Sequence, residues 1–342
     1  MIFKLLRILL LTLLTAAAFL TFQFLHFATQ PLPLPSDGAT VEIRSGSGLT
    51  TIANTLHQQK IIDEPLAFRL LAKLLGEAGQ LQAGEFFIPP ETTPIALLQI
   101  LTSGRVVQHQ LTIIEGWNFR QLLNALAEHP AITQTLPPEW RTAPLEEMGD
   151  EILVALKLPP GHPEGRFLAD TYHFPRGTSD ADFLRRAYRE MERLLAAEWE
   201  KRDPQTRLQN PEEALILASI IEKETGRGEE RTRIAGVFNR RMQRNMRLQT
   251  DPTVIYGMGD RYQGRIRRAD LQRDTPYNTY TRHGLPITPI AMPGPAAIRA
   301  ALHPEPGNSL YFVSRGDGSH HFSATLEEHN RAVRKYILGT RL

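Results

Sequence analysis

Glu222 and Glu224 are the side chains whose type and setting most invite acid–base chemistry. They end an apolar run, Ala214 to Ile221, that breaks off into Glu222, Lys223 and Glu224. The run opens with helix-start signals: Asn210 as N-cap, Pro211 at the first helical position, and Glu213 three residues after the cap. Gly226 reads as its stop. A helix that is apolar almost all round is a buried one, so this helix carries a carboxyl from the core to a cleft or surface. The negative pole of the helix dipole and partial burial both raise a carboxyl pKa, as a general acid near neutral pH requires. At about 100° per residue, Glu222 shares a face with Leu215, Ala218 and Ser219, and Glu224 points about 200° away. The two cannot form a close carboxylate pair. The expectation is Glu222 as the acid and Glu224 as a supporting, substrate-side partner; the plain alternative is a solvated helix end.

Two polar words accompany this helix. Gln249, Thr250 and Asp251 precede Pro252, where a strand is expected to give way to a turn, and Tyr277, Asn278, Thr279 and Tyr280 repeat the chemistry of amide, hydroxyl and ring. Sugar sites use such groups, planar polar ones for hydroxyls and acetamides and rings for stacking, although each also serves as a turn residue. Glu164 and Asp170 compete for acid–base work, but Pro-Glu-Gly and Asp-Thr are turn chemistry. Glu115 and Trp117 suit either a sugar site or a hydrophobic anchor beneath a turn. His320, His321 and His329 suggest a metal, but neighbouring histidines on a strand face opposite sides and no carboxylate or cysteine pattern completes a set. The expectation is therefore no metal and no cofactor, with His321 lining the cleft. Arg240, Arg241, Arg244 and Arg247 form a basic cluster, read as an exposed helical face. A formal net charge of +2 carries no nucleic-acid signature, and the absence of cysteine removes disulfides and thiol chemistry.

The words ASIIEKET, VFNRRM, MRLQTDPTVIYG, YNTYTRHGLPITPIAMPG and HHFSATLEEHN, in that order, resemble the endolytic murein transglycosylase (YceG-like) family over almost the whole chain. The resemblance implies a membrane-anchored lytic transglycosylase that cuts peptidoglycan glycan strands endolytically with one catalytic glutamate, the first of the EKE word, here Glu222. It implies protonation of the β-1,4 bond between N-acetylmuramic acid and N-acetylglucosamine, a 1,6-anhydro product, and chain termination beside peptidoglycan synthases. A muramidase using the same Glu222 with Asp251 or Asp170 to steer water, and a non-enzymatic wall-binding scaffold, are the rival readings. In PEGRFLADTYHFPRGTS the pair Leu168-Ala169 departs from the bulkier family form.

Stepping outward, the 342 residues suffice for two or more modest domains. Lys4 and Arg7 precede an apolar run from Ile8 to Ala28, long enough to span a bilayer with the N-terminus in the cytoplasm and the remainder outside; with the family resemblance this implies an inner membrane and a periplasmic catalytic part. A cleaved signal peptide is the rival, but Phe19 to Phe27 continues apolar beyond Ala16-Ala17-Ala18. The expected organisation is an α+β chain: cytoplasmic start and transmembrane anchor 1–29, an extended tether 30–40, a small α/β module 41–104, and a larger mixed α+β catalytic domain 105–342 with a variable stretch near 128–150. The strand–helix–helix–strand order of 41–104 and its AGEFFIPPETT word resemble the LysM-like region of the family, which implies contact with N-acetylated sugars. Capping patterns mark Asn118 with Gln121 and Thr325 with Glu328 as helix starts.

Overall fold

The computed structural model describes residues 2–144 and 148–339; residues 145–147, inside the stretch read as variable, lie outside the described residues. The chain divides into a unit of residues 1–109 with 173–177 and a unit of 110–172 with 178–342. The whole is mixed α and β.

In the first unit, α1 (Ile2–Thr29) is a single apolar helix, long and apolar enough to cross a membrane. Residues 30–38 are irregular, with a turn closed by Gly38 N on Pro35 O at 3.0 Å; Leu32 is buried and its N–H donates to Thr92 O at 2.8 Å, so this piece is packed rather than free. β1 (Ala39–Ile43) pairs antiparallel with β2 (Gly84–Ile88), from Ala39 opposite Ile88 to Ile43 opposite Gly84. The period-two pattern puts Val41, Ile43, Phe86 and Ile88 on one buried face. Between the strands lie α2 (Leu49–Gln58) and α3 (Pro65–Leu74), and α4 (Pro94–Thr102) follows, started by the Thr93 hydroxyl on Ala96 N. Ile52, Leu56, Phe68, Leu71, Leu97 and Leu101 fill the core between them.

The second unit is mainly helical. β3 (Gln108–Thr112) is followed by α5 (Phe119–Glu128), whose Asn118–Gln121 capping box forms as the sequence indicates. β4 (Ile132–Thr133) and α6 (Glu151–Ala155) come next, then β5 (Thr171–Pro175), which joins β3, and β6 (Thr178–Ser179), which runs parallel to β4. The long α7 (Asp180–Trp199) leads to α8 (Pro211–Glu224), the helix that carries the two glutamates. Every residue of α8 from Ala214 to Ile221 is buried, against α7, α9 (Arg231–Gln243), α10 (Asp251–Met258) and α12 (Pro295–Leu302), with the short α11 (Arg268–Gln272) beside α10. β7 (Tyr311–Ser314) and β8 (His320–Ser323) form an antiparallel pair, and α13 (Leu326–Tyr336) starts on the Thr325–Glu328 capping box.

Two local expectations are corrected. Residues 247–257 hold no strand: Asp251 and Pro252 open α10, because a proline is at home in a helix's first turn, where its missing N–H costs nothing. Gly226 does not stop α8 in a left-handed cap; Thr225 turns extended (φ −147°, ψ 134°) and ends it.

Candidate active site

The start of α8 is built as its sequence dictates. The Asn210 side chain accepts from Glu213 N at 2.9 Å, and the Glu213 carboxylate accepts from Gln209 N at 2.7 Å. These local bonds fix where the helix begins, and fourteen residues then carry it through the core to Glu224. The two glutamates part there, on different faces.

Glu222 turns towards the segment that precedes α12. On the same face Ser219 Oγ accepts from Ile290 N at 3.0 Å, and Glu222 Oε2 accepts from Gly294 N at 3.0 Å. Its other oxygen lies 3.3 Å from Arg231 Nη2, which also stands 3.6 Å from Glu115 Oε2. The Glu222 side chain is only 6% exposed. Burial raises its pKa and the Glu115 charge adds to that, while the Gly294 N–H and Arg231 oppose it. The Glu115 carboxylate fills the space where a Cβ on Gly294 would stand, so the glycine is what lets it approach. This is a closed arrangement: a carboxylate with a backbone donor, a guanidinium and a second carboxylate around it.

Glu224 faces a different place. It lines a cleft of about 450 Å³ together with Gln249, Thr250, Asp251, Tyr280, Tyr311, His320 and His329. The Thr250 hydroxyl donates to Glu224 Oε1 in a short contact. Burial pushes the Glu224 carboxyl up to about 7, against the Thr250 bond and with the nearby Asp251 charge adding to the rise. A carboxyl with that pKa is half protonated near neutrality, the state in which it can both give and take a proton. Across the cleft Tyr280 OH donates to Asp251 Oδ1 at 2.5 Å. Burial, then Asp251, holds the Tyr280 phenol well above its usual range, so it stays a donor. Gln249 is exposed and adopts φ +51°, a left-handed geometry uncommon for a side-chain-bearing residue, which its N–H bond to Thr279 O at 3.1 Å helps to hold.

The remaining candidates fall into place around this cleft, and several do not reach it. Thr250, Tyr277, Asn278 and Thr279 are each no more than 2% exposed. Thr279 Oγ1 accepts from Thr250 N at 3.1 Å and meets Thr253 Oγ1 at 2.9 Å. Asn278 Nδ2 donates to the carbonyls of Asp270, Leu271 and Arg273, and Tyr277 OH pairs with Thr288 Oγ1 at 2.9 Å. Their polar atoms are committed inside the protein: Thr279 braces Gln249 and Thr250, Asn278 holds the 270–273 segment, and Tyr277 is bonded to Thr288. His321 is likewise corrected: its ring lies against Tyr336 (5.6 Å between centroids), in a separate recess with Glu328 and Lys335. Its neighbour His320, on the opposite face of β8, is the one at the cleft, held by Glu230 through its N–H (2.9 Å) and Nδ1 (2.7 Å).

Glu164, the sequence competitor, is fully buried and seated at the N-terminus of α5, where it accepts from Phe119 N at 3.1 Å and from Tyr256 OH at 3.1 Å. Asp170 is exposed and closes a local turn on Thr171 N at 2.7 Å. Arg241 of the basic cluster is buried, not exposed: it donates to the carbonyls of Leu310 and Leu248 at 2.6 and 2.8 Å and ties α9 to β7. On the far side of α10 a second cleft of about 470 Å³ is lined by Lys223, Arg120, Asn118, Tyr262 and Ile255 among others. No cluster of three or more metal-ligating side chains occurs among the described residues. Sequence reading passed over Arg231 and Gly294; both signals are long-range, and nothing local to either residue announces them.

α8 thus carries two carboxyls of raised pKa to different faces, Glu222 among Gly294 N, Arg231 and Glu115, and Glu224 in the wall of a cleft with Asp251 and Tyr280. The chain belongs to the YceG-like family, whose model matches residues 41–335. It is 32% identical over 327 residues to a protein of Bacillus subtilis (strain 168) named endolytic murein transglycosylase, covering 92% of this chain and 90% of that one. A protein of the same name from Streptococcus pneumoniae serotype 2 (strain D39 / NCTC 7466) is 26% identical, and the match spans 96% of this chain but 64% of that longer protein. A crystal structure of a yceG-like protein from Listeria monocytogenes superposes with a TM-score of 0.54 at 30% identity, over 87% of this chain and all of the other.

Proposed function

We propose that this protein is a membrane-anchored endolytic lytic transglycosylase of peptidoglycan, and that Glu222 is its proton donor. The observation that carries the assignment is the placement of the Glu222 carboxyl at the end of α8, between Gly294 N, Arg231 and Glu115, with its pKa raised by burial and by the Glu115 charge. Glu224 is the buried partner on the other face, committed to the Thr250 hydroxyl.

In this reading the protonated Glu222 gives its proton to the glycosidic oxygen between N-acetylmuramic acid and N-acetylglucosamine as the C1–O bond breaks. The muramic acid 6-hydroxyl then attacks C1, and its proton returns to Glu222. One bond forms for the one broken, no water enters, and the product carries a 1,6-anhydro end. Arg231 and the Gly294 N–H hold the Glu222 carboxyl in position. Gln249, Asp251 and Tyr311 supply an amide, a carboxylate and a ring in the neighbouring cleft for positioning the strand. The attack is intramolecular, so its main requirement is orientation, which a walled cleft provides. Names of relatives, the apolar α1 and the family membership support the wider reading: nascent glycan strands as substrate, an inner-membrane anchor with a cytoplasmic N-terminus, a periplasmic catalytic part, chain termination near peptidoglycan synthases, and a LysM-like role for 41–104.

A muramidase using the same Glu222 is the second reading, and the Glu115 carboxylate beside Arg231 and Glu222 is what favours it, since a hydrolase needs a second carboxylate to steer water. Mass spectrometry of fragments released from purified sacculi separates the two. Anhydro ends from the interior of long strands support the proposal; reducing ends refute it in favour of hydrolysis, and binding without release refutes both in favour of a scaffold.

A further inference from the structure

α3 buries Phe68, Leu71 and Ala72 in the core of its own unit and turns a second apolar line outward. Leu66, Leu70 and Leu74 are 71%, 49% and 67% exposed, and their four-residue spacing sets them in one row along the helix. Arg69 and Lys73 border the row. A single exposed leucine means little, but a row of three that continues into a larger apolar surface does not occur on an ordinary wetted helix.

This row continues into α1. Leu66 and Leu70 form one wall of a groove of about 910 Å³ whose other wall is Phe19, Leu20, Phe24 and Phe27 of α1. Nor is α1 loosely attached: Ala28 is buried in the unit's core, and Phe24 and Phe27 pack against it. The depth of the groove therefore follows from the helix. With Lys4 and Arg7 at one headgroup layer, a hydrocarbon core of about 30 Å at about 1.5 Å per residue extends to around Ala28. Phe24 and Phe27 fall inside its outer part and Phe19 and Leu20 just past its midplane, so the groove they share with Leu66 and Leu70 opens within the far half of the core. The outward side chains of α1 between Phe3 and Leu25 are mostly more than half exposed, the same kind of surface.

We propose that α3 is a membrane-surface helix: Leu66, Leu70 and Leu74 sit among the acyl chains of the leaflet on which the first unit lies, and Lys73 and Arg69 meet the anionic headgroups. The inference rests on the reading of α1 as a membrane anchor. It makes the first unit part of the membrane contact and not a spacer that stands clear of it.

The chain has no cysteine, so a single introduced cysteine carries a unique spin label. Full-length Leu66→Cys, Leu70→Cys and Leu74→Cys proteins are labelled in vesicles of phosphatidylethanolamine with phosphatidylglycerol, and collision with oxygen is compared with collision with a water-soluble nickel chelate. Leu13→Cys in α1 and Gln58→Cys on the exposed side of α2 are the lipid and water references. The expected result is a several-fold lower nickel collision rate and a higher oxygen rate at all three α3 sites than at Gln58→Cys, close to those at Leu13→Cys. Water-like α3 sites beside a lipid-like Leu13→Cys overturn the inference and leave the anchor standing. A water-like Leu13→Cys overturns the anchor and the inference together. Shielding from both probes with label–label broadening, relieved by diluting the protein in lipid, replaces the lipid contact with a second copy of the chain.

Discussion

Glu164 gives the most quantitative test of the electrostatics of the larger unit. It is fully buried at the N-terminus of α5, and burial pushes its carboxyl up to about 7 against the opposing effect of Phe119 N–H, Tyr256 OH and the Lys223 charge. Because the folded pKa lies above the ordinary 4.5, the folded state holds this proton more tightly than the unfolded chain does. Stability from this group is therefore greatest below about pH 4.5 and is lost as the pH rises to about 7. The interval is worth about 3 kcal/mol. In Glu164→Gln the amide resembles the protonated acid, with one oxygen to accept from Phe119 N and a donor on the other side. The variant should match the parent within about 1 kcal/mol at pH 5 and exceed it by about 2–3 kcal/mol at pH 8. Trp117, Trp140 and Trp199, the three tryptophans of the chain, all lie in the larger unit, so urea titrations followed by their fluorescence report that unit alone. Parallel stability–pH curves for parent and variant would refute the reasoning.

Three further substitutions probe the site from its surroundings. Thr250→Val removes the hydroxyl that favours the charged form of buried Glu224; the larger unit should lose about 1–3 kcal/mol in urea titrations at pH 8 and less as the pH falls and Glu224 takes up its proton. Arg231→Gln leaves Glu222 buried beside Glu115 without its cation; the larger unit should lose about 2–4 kcal/mol in urea titrations at pH 8, and the loss should shrink as the pH falls and Glu222 takes up a proton. Asn278→Ala strips the donor from the carbonyls of Asp270, Leu271 and Arg273 and should cost about 2–3 kcal/mol by the same titration.

What the sequence made legible was local. Asn210, Pro211 and Glu213 announce the start of α8, Asn118 with Gln121 and Thr325 with Glu328 announce α5 and α13, and all three starts form as the capping chemistry requires. The angular separation of Glu222 from Glu224 was also legible, since 3.6 residues per turn fixes it. Which of them meets an open cleft was not, because the answer lies in Gly294, 72 residues from Glu222, and in Thr250, 26 residues from Glu224. Tyr277, Asn278 and Thr279 misled for a related reason: a polar word looks the same whether its groups face a sugar or satisfy buried carbonyls. The helix that begins at Asp251 was hidden because a proline opens a helix as readily as it ends a strand.

The most direct test of the central claim compares full-length Glu224→Gln with Glu222→Gln on purified sacculi, with the parent alongside, anhydro-ended fragments counted by mass spectrometry and folding checked by tryptophan fluorescence. The account predicts that Glu222→Gln keeps its fold and loses anhydro product entirely, while Glu224→Gln keeps a measurable part of it. Full product from a well-folded Glu222→Gln together with none from a well-folded Glu224→Gln would contradict the account and move the catalytic role to the residue bonded to Thr250.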